Sequence, residues 1–160
     1  MNWRYTVRDS DPSAVRKLVA DTGFFSAGEV DLAVDLVDET LQKGSASGYE
    51  FLFLDNANGG LQGYVCYGPI PATKSSYDLY WIAVSPDLQG AGLGAQLVAE
   101  TEQKAKAFGA TRMYVDTSGR AQYRPTRSFY ERCGYTVAAE LDDFYAPGDS
   151  KVIYQKTLAG

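Results

Sequence analysis

The sequence predicts a single α/β (α+β) domain over residues 1–160, and two observations predict it. Strand-like and helix-like periodicities follow one another in the order β-α-α-β-β-β-α-β-α-β-β, with no repeat, low-complexity tract or linker. The chain's 160 residues, 45% of them hydrophobic, suit one buried core in one domain.

The elements can be justified in turn. Residues 3–8 alternate as a first strand. Asp9-Ser10-Asp11-Pro12-Ser13 is a turn with capping residues, opening a helix over 13–22 that Thr22-Gly23 stops. Phe24-Phe25-Ser26 is a short apolar loop. A second helix, 27–43, carries Val30, Leu32, Ala33, Leu36, Val37 and Leu41 and ends near Gly44. Residues 49–54 and 61–67 form a hairpin around the turn 55–60, and residues 68–76 are a loop. Residues 79–84 are aromatic and β-branched, which suits a buried strand, and Pro86-Asp87 ends it. Gly90, Gly92 and Gly94 alternate with small residues just where a helix over 93–108 begins, its inner face made by Leu97, Val98, Thr101 and Ala105. A strand over 110–116, a loop over 117–124 and a short helix over 125–133 follow. Two closing strands, 135–141 and 151–157, turn through Ala146-Pro147-Gly148-Asp149.

Composition excludes several chemistries. The chain has no histidine, so histidine triads, zinc–histidine sites and histidine bases are absent. Cys66 and Cys133 lie far apart, form no metal-ligand pair and read as packing residues; no metal is expected. A net charge of −5 disfavours nucleic acid and favours cationic partners such as amines, although most of it serves solubility. No apolar run long enough for a membrane span or a signal peptide occurs, so a cytoplasmic location is expected.

The glycine-rich bend carries the chemistry. Bare amides at a helix start bind anions, because the first N–H groups lack internal partners and the helix dipole is positive there. A nucleoside-triphosphate loop would need a lysine directly after the glycines, and none follows. Gly90-Ala91-Gly92-Leu93-Gly94-Ala95 satisfies the dinucleotide pattern G-x-G-x-x-A, with Asp116 as its acid, but that motif opens its domain and here it lies mid-chain. Gln89-Gly90-Ala91-Gly92-Leu93-Gly94, after a strand ending Ile82-Ala83-Val84-Ser85-Pro86, has the form Gln/Arg-x-x-Gly-x-Gly/Ala and resembles the acetyl-CoA motif of the GNAT superfamily of N-acetyltransferases. Phe129-Tyr130-Glu131-Arg132-Cys133-Gly134-Tyr135 is similar to a second segment of that family. The resemblance covers residues 78–136; before them only the order of elements matches, and after them only a hairpin.

The resemblance implies a mixed, mainly antiparallel sheet flanked by helices, and acetyl transfer from acetyl-CoA (coenzyme A) to a primary amine by direct attack. It implies that the amides of Gln89, Gly90, Ala91, Gly92, Leu93, Gly94 and Ala95 cradle the pyrophosphate. The backbone of Ile82, Ala83 and Val84 would pair with the pantetheine arm. Tyr123 stands where the family usually has a pantetheine-contacting Asn. Tyr130 would protonate the leaving thiolate. Asp78, and after it Asp116, occupy places where family members carry a base, and Tyr80 could orient a water. Substrate would be shaped by Phe24 and Phe25 and by Tyr145 in the closing hairpin, whose Asp142-Asp143 reads as an exposed turn. Brevity and acidity favour a small-molecule amine over a peptide N-terminus or lysine, and a homodimer is compatible. The rivals are a non-catalytic acyl-CoA-binding module and a nicotinamide-dependent oxidoreductase.

Overall fold

The computed structural model describes residues 1–158. Its elements are β1 (Asn2–Arg4), α1 (Asp11–Asp21), α2 (Ala27–Lys43), β2 (Glu50–Asp55), β3 (Leu61–Pro69), β4 (Ser76–Val84), α3 (Leu93–Ala107), β5 (Arg112–Ser118), α4 (Arg124–Arg132), β6 (Thr136–Ala146) and β7 (Asp149–Thr157). Short 3-10 turns lie at Gly44–Ser47, Pro86–Leu88 and Ala121–Tyr123. The order of helices and strands is the one expected from the sequence. The strands form a mixed, mostly antiparallel sheet in the order β1-β2-β3-β4-β5-β7-β6, with β4 and β5 parallel. Among the described residues, no helix is long and apolar enough to cross a membrane.

The chain condenses into two compact units. One comprises Met1–Gly68 and Trp81–Thr101; the other comprises Pro69–Tyr80 and the described residues from Glu102 onward. In the first, Val15, Leu18 and Val19 of α1 and Val30, Ala33, Val34 and Val37 of α2 repeat at helical spacing and bury one stripe of each helix. They pack on Phe51 and Phe53 of β2, Tyr64 and Cys66 of β3 and Ala83 of β4, each strand contributing alternate residues. Ser26 caps α2 through a capping box with Glu29, accepting the Glu29 N–H while its own N–H donates to the Glu29 carboxylate at 2.9 Å. Gly63 lets α3 approach the sheet: a Cβ there would stand 3.0 Å from Leu97 Cδ1 and 3.3 Å from the Ala83 carbonyl oxygen.

Strand β1 stops at Arg4 instead of running on to residue 8, and α1 starts at Asp11 instead of residue 13. The cause is a buried ion cluster. Arg4 donates to both Asp11 carboxylate oxygens at 2.8 Å and to Asp55 at 2.9 Å, while its guanidinium lies 4.2 Å from the centre of the Phe53 ring. The Arg8 N–H donates to Asp11 at 2.8 Å, which bends the chain out of the strand. Asp11 is only 1% exposed and sits at the positive end of α1, so its charge is held by both Arg4 and the helix dipole.

The second unit is built on β7, which pairs with β5 on one side and β6 on the other. Glu102 of α3 accepts from the Tyr135 hydroxyl at 2.8 Å and from the Lys156 ammonium at 2.9 Å, and Lys156 also donates to the Cys133 carbonyl at 2.8 Å. These bonds tie α3, the turn after α4 and β7 together. Residues 142–143 depart from expectation. They lie inside β6, in a bulge between Leu141 and Ala146, with Asp143 at a φ of 55° and its carboxylate accepting the Gly148 N–H at 2.8 Å.

Replacing Arg4 by Met keeps the volume and removes the charge, leaving Asp11 buried against a half-exposed Arg8 alone. Loss of one partner of a buried pair costs roughly 3 kcal/mol, so Arg4→Met should lower the urea midpoint by about 1–3 M without changing the slope. A variant as stable as the parent would show that the cluster contributes nothing.

Candidate active site

The bend after β4 is built by local bonds. The Ser85 N–H donates to the Gln62 carbonyl at 2.8 Å, the Leu88 N–H to Ser85 at 2.9 Å and the Ala91 N–H to Leu88 at 3.3 Å. Gly90 and Gly92 have φ of 85° and 79°, and a Cβ on either would meet nothing within 4 Å. Glycine is therefore required there by backbone conformation, not by crowding. The Gln96 N–H donates to the Gly92 carbonyl at 3.2 Å, which makes Gly92 the N-cap of α3. A glycine has no side chain with which to satisfy the amides of Leu93, Gly94 and Ala95. Leu93 and Leu97 are buried and anchor the first turn, while Gln89, Gly90, Ala91, Gly92 and Ala95 are exposed. An open helix start without a side-chain cap suits a diphosphate.

Upstream on β4, Ala83 belongs to the core and Ile82 and Val84 are half-buried. The parallel pairing of β4 with β5 spans Ser76–Asp78 against Arg112–Tyr114, ending at Asp78↔Tyr114. Asp116 lies two positions further along β5, opposite Ile153 of β7. Asp78 is half-buried. Burial first, and then the nearby charge of Asp116, push its carboxyl up to about 6, against a smaller downward pull from Lys151. Asp116 is paired with the Lys151 ammonium at 3.2 Å, and that ammonium lies 4.5 Å from the centre of the Phe144 ring. Tyr145 is in the same electrostatic neighbourhood: burial, Asp116, Asp149 and Tyr123, in that order, raise its phenol. Asp149 pairs with Arg120 at 3.2 Å and accepts from the Ser118 hydroxyl, and Arg120 lies 5.4 Å from the centre of the Tyr123 ring.

Four residues named from the sequence, Asp78, Asp116, Tyr123 and Tyr145, thus share one charged neighbourhood. Lys151, Arg120 and Asp149 complete it, and sequence reasoning missed their part. Their only advance signal is that β7 alternates, which puts Lys151 on the face of Ile153, Asp116's partner.

Tyr130 projects from α4 and is 4% exposed, its ring 5.2 Å from Phe129, 5.9 Å from Tyr135 and 6.2 Å from Tyr154. Burial, with a smaller push from Cys133, holds its phenol well above the usual tyrosine value, so it is protonated at neutral pH. Among the aromatic candidates, Phe24 packs edge-on against Phe25 at 5.1 Å, and Phe25 lies 4.9 Å from Trp81 of β4. Among the described residues, the buried Trp81 indole N–H has no hydrogen-bond partner. Tyr80 is exposed. Cys66 is buried in β3 and its thiol is pushed up by burial, which suits packing and not nucleophilic attack.

Comparison with known proteins places this architecture. The acetyltransferase (GNAT) family matches residues 18–135. The uncharacterized N-acetyltransferase YvbK of Bacillus subtilis (strain 168) is 32% identical over 115 residues, 72% of this chain and 68% of the relative. A crystal structure from Desulfovibrio desulfuricans, assigned to the GNAT family of acetyltransferases, has a TM-score of 0.94 and 45% identity over 99% of both chains. An aminoglycoside 6'-N-acetyltransferase complexed with coenzyme A shares the fold, with a TM-score of 0.78 at 14% identity over 100% of this chain and 98% of that one. The chain belongs to the acetyltransferase (GNAT) family.

Proposed function

We propose that residues 1–160 act as one N-acetyltransferase domain that acetylates a primary amine of a small molecule by direct attack, with Asp78 as base and Tyr130 as acid. Asp78 supports this most directly. A carboxyl group pushed up to about 6 is ionised at neutral pH yet basic enough to take a proton from an ammonium. The charged neighbourhood supports the choice of acceptor: Asp78, Asp116 and Asp149 lie among the rings of Tyr123, Phe144 and Tyr145, which suits a compact cation with an apolar body.

On this basis each residue has one task. The amides of residues 89–95 hold the diphosphate. The backbone of Ile82, Ala83 and Val84, with the Tyr123 phenol, holds the pantetheine arm. Asp78 accepts the proton of the incoming ammonium and releases it to solvent. The freed amine nitrogen bonds to the acetyl carbon as the carbon–sulfur bond breaks. Tyr130 gives its proton to the departing sulfur and is restored by the second proton that the acylated nitrogen sheds. Phe24 and Phe25 shape the acceptor wall, and Tyr80 and Asp116 orient water and charge. Acetyl-CoA supplies the activated acyl group.

Three measurements test this. In an amine panel read by thiol release, small amines should be turned over in preference to peptide N-termini or lysines. Asp78→Asn should lower kcat/KM by ~10²-fold or more and remove an acid limb near pH 6, and Tyr130→Phe should lower kcat while coenzyme A affinity is kept. Full turnover in both variants would defeat the assignment; coenzyme A binding without turnover of any amine would favour a non-catalytic acyl-CoA module.

Gly92→Ala makes the left-handed conformation cost ~1–2 kcal/mol; the free bend relieves this by leaving that conformation, and binding must restore it, so calorimetry should show coenzyme A binding weakened roughly tenfold. Unchanged affinity would remove the diphosphate from this bend.

Asp78 also gives a stability prediction. Its carboxyl titrates higher in the folded chain than its ordinary 3.8, so the folded state holds the extra proton. Stability therefore falls as pH rises from about 4 through about 6, and the loss persists above. Asp78→Asn removes that loss, so it should raise the melting temperature relative to the parent more at pH 8 than at pH 4. An equal effect at both pH values would contradict the burial of this charge.

A further inference from the structure

Lys151 is held more firmly than a surface lysine needs to be. It sits on the strand of the second unit that is paired on both sides, opposite Ser118 of β5 and Leu141 of β6. The β6 bulge begins immediately after Leu141, and within it Phe144 lies with its ring 4.5 Å from the Lys151 ammonium. The bulge is itself fastened, since Asp143 accepts the Gly148 N–H at 2.8 Å. The side chain of Lys151 is 21% exposed, and its ammonium reaches across to Asp116 at 3.2 Å. Two ladders, an aromatic face and a carboxylate thus fix one cation beside the carboxylate that acts on Asp78.

We propose that Lys151 is a positioning residue for acyl transfer: its ammonium holds the Asp116 carboxylate toward β7, leaving Asp78 as the carboxylate that meets the acceptor amine. This rests on Asp78 being the base. Two neighbouring carboxylates without a cation share a proton, and the group that should be basic at neutral pH is then protonated for part of the time. With Lys151 in place, Asp116 is paired with its own cation, and what remains of its charge adds to burial in raising Asp78 only to about 6. The other charged and titratable groups of this neighbourhood are already committed or lie above neutral pH. Asp149 is engaged by Arg120 and Ser118, and the Tyr145 phenol is raised by burial and by the surrounding acids. Tyr123 lies beneath Arg120. Among the described residues, Lys151 is the cation paired with Asp116.

The test needs no acceptor. The full chain, carrying carbon-13 in its aspartate carboxyls, is titrated by NMR, with the Asp78 signal assigned by its loss in Asp78→Asn. Lys151→Met should move the Asp78 midpoint upward by about one pH unit, so that roughly tenfold less of it is ionised at low pH. Lys151→Arg should restore the parental midpoint. In an Asp116→Asn background, Lys151→Met should move it far less, because the competing carboxylate is gone. An unmoved midpoint in a folded Lys151→Met chain overturns the proposal. So does an equal shift with and without Asp116, which would mean that Lys151 acts through general surface charge. If Lys151→Met does not fold, the parent and Asp116→Asn still decide the matter: Asp78 must titrate lower when Asp116 is neutralised, and an unmoved midpoint there also refutes it. A shift as expected, together with full turnover by Asp78→Asn, would leave the coupling standing while removing Asp78 as the base.

Discussion

The parallel pairing of β4 with β5 is the constraint from which the functional residues follow. Antiparallel neighbours can be joined by a tight turn, but parallel ones need a long crossover, usually a helix. Here the crossover is the segment between Val84 and Arg112, and α3 fills it. A strand that must hand over to a helix creates a helix start at the end of β4, and that is where Gly90 and Gly92 lie. The same pairing sets Asp78 against Tyr114, which fixes Asp116 two positions along the neighbouring strand. One topological requirement therefore produces both a helix start without a side-chain cap and a pair of neighbouring carboxylates.

Charge is managed by pairing throughout, without a single histidine. Asp11 is buried with Arg4, and Glu102 with Lys156 and the Tyr135 hydroxyl. Asp78 is the contrast: among the described residues it is a half-buried carboxylate whose nearest influences are a like charge and only a weaker opposite one. Stable folding favours the first arrangement and proton transfer favours the second. Tyr130 follows the same division in another way, since enclosure by Phe129, Tyr135 and Tyr154 keeps a phenol protonated chiefly by burial.

Local signals were legible in the sequence, and non-local ones were not. The order of elements, the whole of α2 and the glycine bend could be read because capping, helical spacing and positive φ are short-range requirements. The early end of β1 was invisible because it depends on Arg4 meeting Asp55, a residue far along the chain. Residues 142–143 looked like a turn because paired acids usually are. Their place inside β6 follows from a bulge held by Gly148, which sequence pattern does not reveal. Asp78 and Asp116 could be named because the family resemblance implies a base at their places. Lys151, which pairs with Asp116, carries no motif and becomes visible only when β5 and β7 are paired.

The glycine at the N-cap of α3 has one more consequence. A helix that begins without a side-chain acceptor has a loosely tethered first turn, and a diphosphate seated there would itself serve as the missing cap. The donor molecule would then be a structural part as well as a reactant. Fraying of α3 and vacancy of the bend would rise and fall together, so proteases and solvent exchange would sense occupancy at residues 89–95 before any chemistry occurs.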